Sequence, residues 1–284
     1  MNKRISIIVP CYNEEQVVGT VLQDLIEYIK RKQLTVEIIV VDDASTDGSA
    51  KIISQHPVKL VSHRTRTGYG GAVKSGAAAA QYEWLLFYDA DGQNKTENLD
   101  ALFSEQTEYD MAVGARTGWQ GPALRQPGKR IIKWVAEYLS GVPIPDVNSG
   151  VRIVHKDLFG KFRHLCPDGF SLSTTLTIAA LKDHSRVVFV PIASFKRSGG
   201  RSTVRPHDAF TMLMLIMRLI TVFSPLRLFT RVAAALAALG LLSLVRDIVT
   251  TDIRELTVFF FLTSLIVFLF GLIADQIAEL RRQL

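Results

Sequence analysis

A chain of 284 residues, 48% of them hydrophobic, has ample material for one large domain or two. Its 33 basic and 27 acidic side chains leave a net charge of +6, which suits an anionic membrane surface or a phosphorylated substrate and is too diffuse to argue for nucleic acid. No zinc-type Cys/His spacing occurs, and the two cysteines, Cys11 and Cys166, give no disulfide framework and fit a reducing compartment.

The apolar run from Ile5 to Val9 stops at Pro10, too short for the core of a signal peptide. It reads as a first buried strand over 5–10, which leaves the N-terminal part in the cytosol. Asn13 is placed to cap a helix, with Gln16 at the capping-box position and Val17, Val18, Val21, Leu22, Leu25, Ile26 and Ile29 on one face. Glu15 then serves only to favour that helix N-terminus. A second strand over 36–41 ends at Asp42 and Asp43, the latter equally able to cap the following turn. A short helix through 52–53, a strand over 58–61, a small-residue helix over 70–80 and a strand over 84–88 follow. A helix over 96–103 and a strand over 111–114 continue the rhythm. Strand and helix alternate, so the expected class is α/β with a mostly parallel sheet. Ligands of such sheets sit at the carboxyl ends of the strands, which gathers Tyr12, Asp42, Asp89 and Asp91 around one crevice.

The stretch WLLFYDADGQ, residues 84–93, carries the sharpest chemistry. Asp89 and Asp91, at i and i+2 in extended backbone, point the same way. Gly92 lets the chain turn, and Gln93 adds a neutral oxygen. Such donors suit Mg²⁺ or Mn²⁺, which leave positions for substrate phosphates. A polar turn after a strand is the plain alternative. The glycines of 68–76 match neither G-x-G-x-x-G nor G-x-x-x-x-G-K-[ST], which disfavours a nicotinamide enzyme; close packing of helix on sheet is the stronger reading.

VPCYNEE (9–15), VVDDASTDGS (40–49), TGYGGAVKSG (67–76), YDADGQ (88–93) and DVNSGVRI (146–153) occur in that order. As an ordered set they resemble the inverting family 2 glycosyltransferases of glycosyltransferase A-type fold, most closely the polyprenyl- and dolichyl-phosphate sugar synthases. The resemblance covers residues 4–206. It implies that Pro10, Tyr12, Glu14 and Asp42 surround the nucleoside, and that Asp89, Asp91 and Gln93 form the metal-diphosphate site, with Asp91 catalytic. Arg116, in GAR, corresponds to the acceptor-side signature and is selected as a catalytic phosphate contact. Arg130 is selected as a further phosphate contact from the basic cluster of Arg125, Lys129, Arg130 and Lys133, most of which a solvated helix face explains. Asp146 is placed near the sugar, and Arg152 alternatively ties that turn together. FKRSGGRSTVRP, 195–206, resembles a loop over the diphosphate, in which Arg197, Arg201 and Arg205 bind phosphate oxygens. Thr203 replaces the usual Lys there, and a basic juxtamembrane loop explains Arg205 equally well.

Many related transferases carry a carboxylate base just after the segment occupied here by residues 169–180, which contain no Asp or Glu. A sugar hydroxyl needs such help, whereas a lipid phosphate is already ionised. The departure therefore favours a phosphate acceptor, and Asp168 is the one residue able to undo that inference.

The tail is apolar. Residues 209–223 suit an interfacial helix, 232–245 a short first span extended by Phe229 and Ile248, and 256–274 an uncharged second span. Arg227 and Arg231 precede the pair and Arg281 and Arg282 follow it, so the positive-inside rule puts both ends in the cytosol. A buried hairpin in a soluble protein is the alternative. The expected organisation is a cytosolic catalytic domain over 1–207, an interfacial helix over 208–228 and two transmembrane helices over 229–284. The expected partners are a UDP- or GDP-sugar, a polyprenyl or dolichyl phosphate and the bilayer, with homo-oligomers possible through the membrane helices and no nucleic acid. A processive polysaccharide synthase, whose Q-x-x-R-W is absent, and a non-catalytic membrane scaffold are the rival readings.

Overall fold

Ile5, Ile7, Ile8 and Val9 are all fully buried, a pattern that a strand achieves only when both faces of its sheet are covered. They lie in β1, Arg4–Cys11, at the centre of an α/β unit. The computed structural model describes residues 4–105, 108–118, 126–169, 171–195, 207–250 and 255–283. The expectations for Arg125, Arg197, Arg201 and Arg205 fall outside those residues. The chain divides into two units, Met1–Phe210 and Thr211–Leu284.

In the first unit β1 is followed by α1 (Val18–Lys32), β2 (Thr35–Asp42), α2 (Ser49–Ile53), β3 (Lys59–Ser62), α3 (Tyr69–Ala79) and β4 (Trp84–Phe87). Then come α4 (Asn98–Ser104), β5 (Met111–Gly118), α5 (Gln126–Ser140), β6 (Arg152–His155), α6 (Lys156–Phe162), α7 (Leu172–Lys182) and β7 (Val187–Ser194). Among the described residues the sheet has seven strands in the order β3-β2-β1-β4-β6-β5-β7. Helix α1 buries Val18, Val21, Leu22, Leu25 and Tyr28, an i, i+3, i+4, i+7 stripe, and ends where Gln33 turns left-handed at φ 51°. Helix α3 lies close on the sheet because Gly76 has no Cβ; one would come within 3.2 Å of Val41 and closer still to Ile8.

Two expectations change. Asn13 does not cap α1: it adopts φ 54°, and its side-chain oxygen accepts from Thr46 N (2.8 Å), so the helix starts only at Val18. Glu15 also leaves the helix end, its Oε2 accepting from Gly48 N at 2.8 Å. The two loops after β1 and β2 thus tie to each other, which offers these polar groups fixed partners that a helix start does not.

The sheet is mostly parallel, but β6 is antiparallel to both β4 and β5. Its first residue, Arg152, pairs with Phe87 at the end of β4 and with Val113 on β5. A reversed strand is entered from the edge where its parallel neighbours finish. Residues 146–151 are thereby delivered beside Asp89.

The second unit holds the greater part of α8 (His207–Phe223), with α9 (Pro225–Thr250) and α10 (Glu255–Gln283). The last two are long and apolar enough to cross a membrane. They pack on each other through small residues: Gly240 faces Phe260 and Phe261, Gly271 faces Phe229, and Ser264 donates to Ala233 O at 2.8 Å. Both run beyond the apolar windows read from sequence: charged Arg246 and Asp247 continue α9, and the polar stretch from Asp275 continues α10 to Gln283.

Candidate active site

Asp42, Asp89 and the turn after it occupy the carboxyl edge of β2 and β4, on either side of β1, which ends at Cys11 beside Tyr12. On the β2 side, Asp42 is buried and accepts from Ser45 N at 3.2 Å. Tyr12 and Pro10 are half-buried, and the Arg66 guanidinium lies 3.9 Å over the Tyr12 ring. Glu14 is half-buried, with its backbone N–H bonded to Ser49 Oγ (2.8 Å) and its carbonyl serving the start of α1.

On the β4 side, Gly92 turns the chain at φ 71°, and Asp91 Oδ1 accepts from Gln93 N at 3.1 Å. Tyr88 pins this turn by donating to Asn94 O (2.6 Å), while Phe195 N donates to Gln93 O (3.1 Å). The segment after β7 therefore starts against Gln93. Asp89 lies over Gly150, where a Cβ would come within 2.5 Å of Oδ1 and 2.8 Å of Cγ. Burial first, and Asp91 second, push the Asp89 carboxyl above its usual range, with Arg116 and Arg152 pulling it back. Among the described residues no three His, Cys, Asp or Glu side chains assemble as a protein-only metal cage. Two adjacent carboxylates with a carboxamide nearby, one seated in a cradle that any side chain would fill, fit a Mg²⁺ or Mn²⁺ ion whose remaining ligands come from substrate.

Arg116 reaches this area but is engaged. Its Nε and Nη2 donate to Asp146 at 2.7 and 3.0 Å, a bidentate pair. Burial pushes Asp146 upward, but Arg116 outweighs it and holds the carboxyl below its ordinary value. The expected placement of Asp146 near the sugar is thus as the partner of Arg116. Arg130 is exposed on α5, beside exposed Ile131 and Trp134.

Arg152 is fully buried and does tie its turn together: Nη2 donates to Ser149 O, and Nη1 to Ser173 O (2.9 Å) and Thr177 Oγ1 (3.0 Å) of α7. Replacing it with Met removes three bonds. Ser173 O and Thr177 Oγ1 keep each other at 2.9 Å, while Ser149 O loses its charged donor at about 1–3 kcal/mol, so Arg152→Met is expected to lower the thermal midpoint in a detergent melt. An unchanged midpoint would refute that role. Sequence reasoning passed over Gly150, Tyr69 and Arg66; Gly150 stood inside the DVNSGVRI motif, but nothing local marks it as the floor under Asp89.

Residues 6–160 match the model for glycosyl transferase family 2. The chain belongs to glycosyl transferase family 2. As a member it is a glycosyltransferase, with the A-type α/β fold described above. Residues 224–280 match the GtrB C-terminal hairpin. The family 2 chain is 26% identical over 245 residues to the undecaprenyl-phosphate 4-deoxy-4-formamido-L-arabinose transferase of Pseudomonas fluorescens (strain Pf0-1), covering 84% of this chain and 71% of that one. The transferase of the same description from Proteus mirabilis (strain HI4320) is 26% identical over 249 residues, covering 84% and 74%. In structure, the glucosyl-3-phosphoglycerate synthase of Mycobacterium tuberculosis, crystallised with Mn²⁺, UDP and phosphoglyceric acid, superposes with a TM-score of 0.61 at 18% identity, over 77% of this chain and 78% of that one. That likeness carries the fold alone.

Proposed function

We propose that this glycosyltransferase moves a hexose-type sugar from a UDP- or GDP-sugar to a polyprenyl or dolichyl phosphate, inverting the anomeric carbon. The observation that carries the acceptor is the state of Asp168. The stretch 169–180 holds no carboxylate, and Asp168 is bound to Lys74 Nζ at 2.7 Å with its side chain 64% exposed. On α7 itself the buried polar side chains are hydroxyls: Ser173, Thr174, Thr175 and Thr177. A 169–180 segment without the carboxylate that would serve as general base suits a nucleophile that arrives ionised, and a lipid phosphate does. The transferase names borne by the relatives agree with that choice.

In this reading Pro10, Tyr12, Glu14 and Asp42 hold the nucleoside, and Asp89, Asp91 and Gln93 would hold Mg²⁺ or Mn²⁺. The ion would supply charge neutralisation for the departing nucleoside diphosphate. Arg116, fixed by Asp146, presents a positive edge toward the acceptor side, with Arg197 and Arg201 serving the diphosphate. The first 207 residues form the catalytic domain, 208–228 an interfacial segment made of α8 and the first turn of α9, and the rest of α9 with α10 a transmembrane hairpin with both ends cytosolic. Helix α5 supports an acceptor drawn from a membrane surface, because Trp134 is 65% exposed and Ile131 50%, next to cationic Arg130 and Lys133.

The test is transfer itself. Detergent-solubilised protein receives polyprenyl phosphate, Mg²⁺ or Mn²⁺ and a panel of labelled UDP- and GDP-sugars. Label is expected in the organic phase from one donor. No label from any donor, with nucleotide binding intact, would overturn the acceptor.

A further inference from the structure

None of the roles above uses Asp43, His63 or Ser75, yet they form one continuous hydrogen-bonded chain. Asp43 is buried just past β2, and its Oδ1 lies 2.8 Å from His63 Nδ1. His63 Nε2 lies 2.8 Å from Ser75 Oγ on α3. Asp43 Oδ1 also accepts from Thr67 N and Thr67 Oγ1, each at 2.8 Å, and Oδ2 accepts from Gly68 N at 2.7 Å. Burial pushes the Asp43 carboxyl upward, but the bonds from His63, Thr67 and Gly68 outweigh it and hold it below its ordinary value. An ionised Asp43 accepts from His63 Nδ1, which orients the imidazole and turns Nε2 toward Ser75 Oγ.

The loop held in this way leads into a cavity of about 370 Å³ lined by Arg66, Thr67, Gly68, Tyr69 and Gly169. The far wall is fastened separately: Gly70 N donates to Gly169 O (3.2 Å), Gly71 N to Asp168 O (2.9 Å), and Lys74 Nζ to Cys166 O (2.6 Å). Tyr69 begins α3 and is anchored by those contacts. Arg66 is different. It is exposed, and its position over Tyr12 depends on the backbone of Thr67 and Gly68, which Asp43 fixes.

We propose that Asp43, His63 and Ser75 are positioning residues for the donor: they hold the 63–68 loop so that Arg66 stays on Tyr12 and the nucleotide side of the cavity is preformed. This rests on the donor reading above. A preformed wall on the nucleotide half stabilises bound donor and transition state alike, so its loss appears in KM and not in kcat.

The experiment combines steady-state transfer with calorimetric binding of magnesium-UDP and magnesium-GDP, on full-length protein. His63→Leu is expected to raise the donor KM about tenfold with kcat within about twofold, and to weaken the bound nucleotide by the same factor. His63→Asn, whose amide still donates toward Asp43, is expected to restore most of the affinity. If His63→Leu fails to fold, Ser75→Ala carries the same test, with a rise of about threefold in donor KM. Unchanged KM in these variants, with nucleotide bound by the parent, overturns the relay alone. A joint fall in kcat and thermal midpoint that Asn does not rescue overturns it too, as a purely structural effect. A parent protein that binds neither nucleotide overturns the donor reading and the relay with it.

Discussion

Asp91→Asn is expected to lower transfer by about 10³-fold or more while leaving the thermal midpoint within a degree or two. The substitution separates two roles of one side chain. Asp91 Oδ1 accepts from Gln93 N at 3.1 Å, and an Asn oxygen can accept that bond equally well, so the turn survives. What is lost is the negative charge beside Asp89. In the proposed site that charge helps hold the divalent ion against the diphosphate, where no other carboxylate among the described residues completes a cluster. Metal-dependent binding of nucleoside diphosphate should vanish with activity, and calorimetry with and without Mg²⁺ reads this directly. Full activity in Asp91→Asn would remove the metal assignment.

Gly150→Ala should cost about 10²-fold in transfer with a far smaller effect on stability. An added Cβ would stand within 2.5 Å of Asp89 Oδ1, so either the carboxylate turns away or the loop lifts. The loop cannot lift easily, because Arg152, two residues on, is buried and bonded to Ser149, Ser173 and Thr177. The carboxylate is the softer partner and yields. Gly160→Ala is the control: a Cβ there meets nothing within 4 Å, and inside α6 it should leave transfer unchanged and hold or slightly raise the thermal midpoint. Equal activity in the two alanine variants would mean that Asp89 does not need its present orientation.

The two predictions draw on different kinds of information. The turn that carries Asp89 and Asp91 was legible because it depends on local things: a buried strand that ends, two carboxylates of the same parity, and a glycine that lets the chain turn. The alternation of apolar strands and helices was equally legible, since burial on both faces requires runs such as that of β1. The two apolar tail helices were visible from composition, although their ends were not. Charged residues can extend a helix past its apolar stretch, as Arg246 and Asp247 do.

Other residues could not be placed from local pattern. Asn13 and Glu15 carry the chemistry of helix caps, but a neighbouring loop 30 or so positions away offered better partners, at Thr46 and Gly48. Arg116 had the right chemistry for a phosphate, while its bidentate hold on Asp146 follows only from two loops meeting. By itself, the sequence determined the alternating α/β unit, the Asp89–Asp91 turn at a strand end and an apolar tail, because each depends on spacing along a few residues. Only the tertiary structure decided that Gly150 lies under Asp89 and that Asp43 reaches Thr67 through space. The first follows from β6 running antiparallel, so that its leading loop arrives at the edge where the parallel strands end; pairing direction is set by packing between distant segments, and no local run of residues encodes it.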